Sequence, residues 1–191
     1  MREYLLVLLV AAGVTYLLSG LCRGLAFRYN AVAMVRERDV HTKPVPYFGG
    51  VAMWLGLAAA FLVASQLPWL GSFEVVRHDA SAVLLAGGLI CLVGAVDDIV
   101  ELGAVAKIAG QLLAAGVAVM NGVKVYWIPL PDAIVSLDNG ASIVVTVALI
   151  FLVVNAINLI DGLDGLAAGV VSIGASAFFL YAYLLSFEHN L

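Results

Sequence analysis

Six long apolar stretches constrain the fold of this chain more than any other feature. A helix needs about 20 mostly apolar residues to cross the hydrocarbon core of a bilayer. Hydrocarbon admits only helices or closed barrels, because backbone hydrogen-bonding groups must be satisfied internally. The pattern therefore predicts an all-α integral membrane protein, a polytopic helical bundle forming a single membrane domain over 1–191. About six transmembrane helices are expected, at about 4–22, 48–66, 82–97, 105–121, 141–158 and 166–185.

The composition excludes an ordinary soluble domain. Of the residues, 64% are hydrophobic and 12% are charged, whereas soluble domains are about half apolar and about a quarter charged. The net charge is −4 and no basic tract is present, so no nucleic acid is expected as a partner. The two cysteines, Cys22 and Cys91, lie within or at the end of apolar stretches. This favours small buried side chains over a disulfide or a metal site.

The distribution of basic residues predicts the orientation of the chain in the membrane. Five of the nine Lys and Arg residues lie in the first connection: Arg23, Arg28, Arg36, Arg38 and Lys43. By the positive-inside rule this connection, 23–47, is cytoplasmic and the N-terminus lies outside. Counting crossings then places 98–104 and 159–165 in the cytoplasm as well. These three connections hold the unusual polar residues, so cytoplasmic substrates would meet all of them on one face.

The two outer connections, 67–81 and 122–140, carry little basic charge. They contain Trp69, Tyr126 and Trp127, and such aromatic side chains suit the interface between lipid and water. The second of these connections alternates apolar and polar residues around its two prolines, which predicts a small β-hairpin.

Two adjacent carboxylates, Asp97 and Asp98, end the third apolar stretch. Carboxylates at the edge of hydrocarbon are costly and usually functional, and two neighbouring negative charges favour a nearby cation. Mg²⁺ commonly takes one or two carboxylates and completes its octahedron with phosphate oxygens and water. The pair indicates a metal–phosphate site, while a helix end that faces water remains the alternative interpretation.

A block of polar residues follows the fifth apolar stretch, with Asn155, Asn158, Asp161 and Asp164 at intervals of three. Residues three apart are neighbours on a helix, so the first three predict a polar stripe that reaches the membrane surface. The glycines after each aspartate allow the chain to turn and its backbone to approach a ligand. Amides and carboxylates suit hydroxyl groups, a nucleobase edge or a metal. A solvated turn does not explain two asparagines at membrane depth.

Two further features carry positive charge. The segment Asp39–Gly50 contains two prolines and paired glycines, which predict a rigid, non-helical lead into the second helix. Within it, Lys43 suits a phosphate, whereas His41 fits a solvated loop as well as a ligand. Lys107, one turn before Gln111, either extends to the headgroups, neutralises the aspartate pair or binds a lipid phosphate.

Together these residues resemble the polyprenyl-phosphate N-acetylhexosamine-1-phosphate transferases, glycosyltransferase family 4. The resemblance spans essentially the whole chain, with the motifs in family order and at family-like intervals. The motif before the second helix is more similar to the branch that uses UDP-N-acetylglucosamine, although Tyr47 stands where that branch often has a basic residue. The matching pieces are His41-x-Lys43-Pro44-x-Pro46-x-x-Gly49-Gly50, Asp97-Asp98, Lys107 with Gln111, and Asn155-Ala-x-Asn158-Leu-x-Asp161-Gly-Leu-Asp164-Gly165-Leu-Ala.

The resemblance implies that a polyprenyl phosphate attacks the β-phosphate of a UDP-sugar and releases UMP, with Mg²⁺, or Mn²⁺ in its place, as cofactor. It implies Asp97, Asp98 and Asp161 as catalytic residues, with Asp97 at the lipid phosphate and the other two at the metal. Implied substrate-binding residues are His41, Lys43, Lys107, Asn155, Asn158 and Asp164.

The resemblance also implies partners and a location. The expected partners are the UDP-sugar, the polyprenyl phosphate, the membrane and, as in many family members, a second copy of the chain. The expected location is the cell membrane, multi-pass, with the active site on the cytoplasmic face. Family members continue through several more helices, so the resemblance implies that this chain is the N-terminal part of a longer transferase.

Three other classes share single features with the chain. Intramembrane prenyltransferases use Asp-Asp-x-x-Asp, which Asp97–Glu101 approximates, but their second aspartate-rich motif has no match. CDP-alcohol phosphotransferases share the Asp-x-x-Asp-Gly of Asp161–Gly165, but they need an Arg soon after it and more aspartates downstream. A transporter could place Asp97 and Asp161 in an ion path, but no internal repeat is present and the polar sites share one face rather than the midplane.

Overall fold

The structure, a computed structural model, describes residues 2–29, 31–33, 45–131, 133–163 and 165–188. The chain divides into two compact units, Met1–Leu149 and Ile150–Leu191, and each is described by itself.

Six α-helices account for most of the described residues, as the six apolar stretches predict. They are α1 (Arg2–Arg28), α2 (Gly49–Gln66), α3 (Glu74–Val100), α4 (Ala104–Met120), α5 (Asn139–Ile160) and α6 (Leu166–Glu188). Five of them are long and apolar enough to cross a membrane, and α4 is a shorter apolar helix of 17 residues. The predicted all-α membrane fold is confirmed.

Short antiparallel strands occupy two of the connections. Strands β1 (Val32–Ala33) and β2 (Val45–Pro46) pair before α2, and β3 (Trp127–Leu130) and β4 (Ala133–Ser136) pair between α4 and α5. The second pair is the hairpin that the sequence predicts at this position. The first pair gives the end of the segment before α2 the non-helical geometry that its prolines predict.

Two helices extend beyond the apolar stretches that reveal them. Helix α1 continues to Arg28, whereas the apolar stretch ends at residue 22, and α3 begins at Glu74 rather than at residue 82. The added residues of α3 include charged ones, and Arg77 among them donates to Glu74 over 2.9 Å. Hydropathy marks only the part of a helix that lies in hydrocarbon, whereas intrahelical hydrogen bonds let the helix continue into water.

Small residues allow the first four helices to pack closely in the first unit. A Cβ at Gly56 in α2 would lie 2.9 Å from the backbone oxygen of Ala11 in α1, and one at Gly110 in α4 would lie 2.6 Å from Val93 Cγ2 in α3. The Trp54 ring of α2 covers Gly88 of α3, and its Nε1 donates to the Leu84 oxygen over 3.0 Å. Close approach at small residues is the usual basis of helix packing in membranes.

Not every helix glycine packs against a neighbouring helix. Gly88 and Gly110 do so, but a Cβ at Gly94, Gly169 or Gly174 would meet no atom within 4 Å. These three glycines therefore have no packing role that the described contacts reveal.

The start of α1 is fastened to the connection between α2 and α3. The two carboxylate oxygens of Glu3 accept the backbone N–H groups of Trp69 and Leu70 over 3.2 and 2.9 Å. The Trp69 ring lies edge-on to Tyr4 and to Phe73, with centroid distances of 5.3 and 5.2 Å. This aromatic group lies at the opposite end of α3 from the aspartate pair.

Candidate functional site

The aspartate pair lies in the last turn of α3, where the chain reverses into α4. Helix α3 ends at Val100, and the next residue, Glu101, has φ 53° and ψ 68°. Its N–H donates to the Asp97 backbone oxygen over 2.9 Å. Only Glu101, Leu102 and Gly103 separate the two helices, so the first turn of α4 lies directly beside the pair.

Both carboxylate oxygens of Asp97 are engaged by its own chain. Oδ1 accepts the Leu102 N–H over 2.9 Å, and Oδ2 lies 2.7 Å from Lys107 Nζ. The Asp97 side chain is 24% exposed and that of Lys107 is 45% exposed. Asp97 therefore closes the α3–α4 turn and holds the lysine ammonium at a defined, partly open position. Among the alternatives left open for Lys107, the structure places it against the aspartate pair.

Asp98 faces the segment before α2. Its half-buried carboxylate accepts the backbone N–H of Phe48, and the charges of Asp97 and Lys107 lie close enough to act on it. Phe48 precedes the first residue of α2 and has φ 71° and ψ 10°. The motif that contains the paired glycines thus ends beside the aspartate pair, although about 50 positions separate them in sequence.

Phe48 and Glu101 are the two non-glycine residues with positive φ in the described part of the chain. A left-handed conformation costs a non-glycine residue about 1–2 kcal/mol, and such strain concentrates at functional sites. Both residues donate their N–H to the aspartate pair, one to a side chain and the other to a backbone oxygen. Sequence reasoning did not identify either residue, because neither Phe nor Glu is a usual choice for this conformation.

The polar block lies at the end of α5, in the second unit. The Asn155 Nδ2 donates to the Phe151 oxygen over 2.8 Å, while Asn158 and Asp161 are exposed. Helix α5 ends at Ile160, and Gly165, with φ 77°, lies at the turn into α6. The two asparagines are therefore on the helix, as the three-residue spacing predicts, whereas Asp161 lies one residue beyond its end.

Several predicted site residues are not part of this geometry. His41, Lys43 and Asp164 lie outside the described residues. In the described ranges, no group of three or more His, Cys, Asp or Glu side chains is close enough together to hold a metal ion. Within the aspartate pair, the Asp98 carboxylate accepts the Phe48 N–H, whereas both oxygens of Asp97 have contacts within the α3–α4 turn and with Lys107.

A protein-family comparison decides the family. The model described as "Glycosyl transferase family 4" matches residues 80–190, which include the aspartate pair, Lys107 and the whole polar block. The chain belongs to glycosyl transferase family 4. The resemblance inferred from the motifs is confirmed, and the chain is a membrane-embedded member of the family.

Curated relatives match the whole chain or most of it. A protein of Mycolicibacterium smegmatis named decaprenyl-phosphate N-acetylglucosaminephosphotransferase is 46% identical over 100% of this chain and 48% of its own length. The protein of the same name from Mycobacterium leprae is 47% identical over the same shares. A Bacillus subtilis protein named probable undecaprenyl-phosphate N-acetylglucosaminyl 1-phosphate transferase is 33% identical over 84% of this chain and 43% of its own length.

The chain spans about half the length of the curated relatives it matches. No solved structure matches it.

Proposed function

We propose that this chain forms part of the active site of an enzyme that transfers N-acetylglucosamine-1-phosphate, or a related sugar-1-phosphate, from a UDP-sugar to polyprenyl phosphate. This reaction would be the first membrane step of cell-envelope glycan synthesis. An oxygen of the lipid phosphate forms a bond to the β-phosphorus of the UDP-sugar, the bond from that phosphorus to the bridging oxygen breaks, and UMP leaves. The proposal is supported by family membership and by the names of relatives that match the full length of the chain. The observation that carries it is the charged cluster of Asp97, Asp98 and Lys107 at the end of α3.

Lys107 is suited to bind the phosphate of the lipid acceptor. The Lys107 side chain is 45% exposed and its ammonium group contacts Asp97, and an ammonium group has three donors. It also lies at the beginning of an apolar membrane helix, where the phosphate of a membrane lipid is within reach. The positive charge would offset the repulsion between the acceptor phosphate and the diphosphate of the donor.

Asp97 then acts as a positioning residue. Its two oxygens hold Lys107 and the Leu102 N–H, so it fixes where the ammonium group lies. The second pKa of a phosphate monoester is about 6, so the lipid phosphate is largely dianionic at neutral pH. Its attacking oxygen therefore needs little help from a base. This role differs from the one that the family resemblance implies for Asp97, which is to deprotonate or position the lipid phosphate itself.

The donor atoms of Asp98 fit a Mg²⁺ ion better than those of Asp97. Mg²⁺ prefers carboxylate oxygens together with phosphate oxygens and water. Both oxygens of Asp97 have hydrogen-bond or ion-pair partners, whereas the Asp98 carboxylate accepts one backbone N–H from Phe48. Asp161 in the second unit is an exposed carboxylate of the same chemical type. When bound, Mg²⁺, or Mn²⁺ in its place, would neutralise charge on the diphosphate. We therefore propose Asp98 and Asp161 as the metal ligands.

The remaining site assignments stay predictions. Asn158 is exposed at the end of α5, where an amide can bind a nucleotide, and Asn155 would support it one turn earlier. Lys43, His41 and Asp164 are proposed to contact the nucleotide sugar on the basis of their motifs alone. A homodimer also stays a prediction.

We propose that the site faces the cytoplasm of a cell membrane. Arg23 and Arg28 lie in the last two turns of α1, and basic residues next to membrane helices favour the cytoplasmic side. The α3–α4 turn is two crossings further along the chain and therefore lies on the same side. The N-terminus would then be outside, and UDP-sugars would reach the site from the cytoplasm.

A chimera tests this function. The matching part of the M. smegmatis relative would be replaced by this chain, which aligns with it over its full length at 46% identity. Membranes containing the chimera would be incubated with UDP-N-acetylglucosamine, polyprenyl phosphate and Mg²⁺, and UMP release would be measured. We expect release that depends on both substrates.

The variants Lys107→Gln and Asp98→Asn should each lower the rate by about 100-fold or more, because loss of one preorganised charge commonly costs about 10²–10³ in rate. Lys124→Gln is the matched control. Lys124 has a lysine–amide contact to Asn139 beyond the other end of α4. A chimera that is correctly folded, as judged by its thermal unfolding, but releases no UMP would refute the proposal. Equal activity of the Lys107 and Lys124 variants would refute the role of Lys107.

A further inference from the structure

The β3–β4 hairpin between α4 and α5 is apolar on both of its faces. One face carries Trp127 and Ile134, which are 57% and 73% exposed. The other carries Leu130 and Val135, which are 53% and 43% exposed. Among the described strand residues, Ser136 alone has a polar side chain. A two-stranded hairpin is marginally stable in water by itself, so this one needs an environment that covers both faces.

Buried polar side chains of α5 fix where the hairpin begins. Ser142 Oγ donates to the Val125 oxygen over 2.7 Å, and the Val125 N–H donates to Thr146 Oγ1 over 2.8 Å. Ser142 and Thr146 are the two buried polar residues in the described part of the chain, with exposures of 1% and 3%. The strand leading into β3 is therefore held against the first two turns of α5.

The depth of this attachment follows from helix geometry. Ser142 and Thr146 are three and seven residues after Asn139, where α5 begins, so Val125 lies roughly 4–11 Å along α5 from its start. On the other side, α4 has 17 residues and is about 25 Å long, roughly 5 Å less than the hydrocarbon core. Both helices thus place the base of the hairpin close to the membrane boundary rather than out in water.

The backbone excludes the hydrocarbon core itself as the location. The outer edges of a two-stranded ribbon present unpaired N–H and C=O groups, and open sheet edges are not found exposed to hydrocarbon. Leu137 N–H donates to the Tyr126 oxygen over 2.8 Å at the base of the hairpin. From there toward the tip, residues that face each other across the two strands alternate between hydrogen-bonded and non-hydrogen-bonded pairs. Pro129 falls in a non-bonded pair, so its missing N–H removes one donor from the outer edge without loss of a ladder bond. Water at headgroup level can satisfy the remaining groups.

We propose that this hairpin lies in the headgroup layer of the membrane and contacts phospholipid with both faces. Exposed apolar residues flank it on both helices, since Met120 at the end of α4 is 88% exposed and Val144 of α5 is 68% exposed. The contact of Lys124 Nζ with Asn139 Oδ1, 3.1 Å long, lies at its base. A protein partner docked on one face would leave the other face uncovered, whereas lipid covers both.

Depth-dependent quenching of tryptophan fluorescence tests this location. The protein would be reconstituted in nanodiscs of phosphatidylcholine and phosphatidylglycerol that carry a quencher at the headgroup, a quencher deep in the acyl chain, or neither. The difference between the protein and its Trp127→Phe variant isolates the emission of Trp127 from that of Trp54 and Trp69. We expect the headgroup quencher to remove several-fold more of this emission than the deep quencher, and aqueous iodide to remove little.

A second measurement keeps the test independent of that substitution. An environment-sensitive fluorophore attached to Ile134→Cys, on the other strand, should report the same depth, with the unsubstituted protein as the labelling control for Cys22 and Cys91. Strong quenching by iodide but not by lipid quenchers would place the hairpin in water and overturn the proposal. Protection from all quenchers would mean that protein covers the hairpin, a second copy included, and would also overturn it.

Discussion

The ion pair between Asp97 and Lys107 allows the clearest quantitative prediction. Asp97→Asn removes the charge but keeps an oxygen that can accept the Leu102 N–H, so the α3–α4 turn should be retained. Lys107→Gln removes the other charge. The two single variants and the double variant form a double-mutant cycle, which isolates the energy of this pair from the other effects of each substitution.

The size of the coupling follows from distance and exposure. The two charged atoms are 2.7 Å apart, but the side chains are 24% and 45% exposed, so solvent screens part of the attraction. Partly exposed pairs of this kind couple by about 0.2–1 kcal/mol, and the short distance places this one near the upper end. We expect the double variant to be about 1 kcal/mol less destabilised than the sum of the two single variants.

The free energy of unfolding would be measured in mixed micelles by titration with a denaturing detergent, followed by circular dichroism. A second cycle that pairs Asp97→Asn with Lys124→Gln is the control, because Lys124 contacts Asn139 beyond the other end of α4 and should show no coupling. Single effects that add within about 0.3 kcal/mol in the first cycle would refute the conclusion that Asp97 holds Lys107 in place. Raising the ionic strength should also reduce a true coupling.

Two backbone predictions follow from the same structure. Glu101→Gly should raise the free energy of unfolding by about 1 kcal/mol, because glycine adopts φ 53° without steric cost. A variant less stable than the parent would show that contacts of the Glu101 side chain stabilise the protein by more than the strain costs. Gly56→Ala should lower the free energy of unfolding by about 1–3 kcal/mol, because its methyl group would clash with Thr15 and the Ala11 oxygen. Gly94→Ala is its control, because no atom lies within 4 Å of the new Cβ. Equal thermal stability of the two variants would contradict the packing of α1 on α2.

Hydropathy alone was enough to locate the six helices in the sequence, because a membrane span is a run of consecutive apolar residues. The end of α1 and the beginning of α3 were missed by several residues, since these turns are charged or polar and lie outside the apolar stretches. The hairpin was visible in advance from its prolines and alternation, but its attachment to Ser142 and Thr146 was not. In the sequence, nothing distinguishes these two small polar residues from the other residues of an apolar helix.

The candidate site was predictable as a list of residues but not as a set of contacts. Spacing identified Asp97, Asp98 and Lys107 as residues that could act together, and left three alternatives open for the lysine. It gave no sign that Phe48 would donate its N–H to Asp98, because these residues are 50 positions apart and the contact uses a backbone group. Backbone donors are present at nearly every residue, so a sequence does not show which of them a carboxylate will find.

The sequence by itself determined that this chain is a helical membrane protein and carried the motifs by which its family is recognised. Apolar runs and short-range motifs are local, and the membrane requires each span to satisfy its own backbone. The tertiary structure decided which aspartate closes the α3–α4 turn, which one faces the start of α2, and where the hairpin is held. These depend on how helices approach one another at Gly56, Gly88 and Gly110, and such long-range contacts are properties of the folded chain.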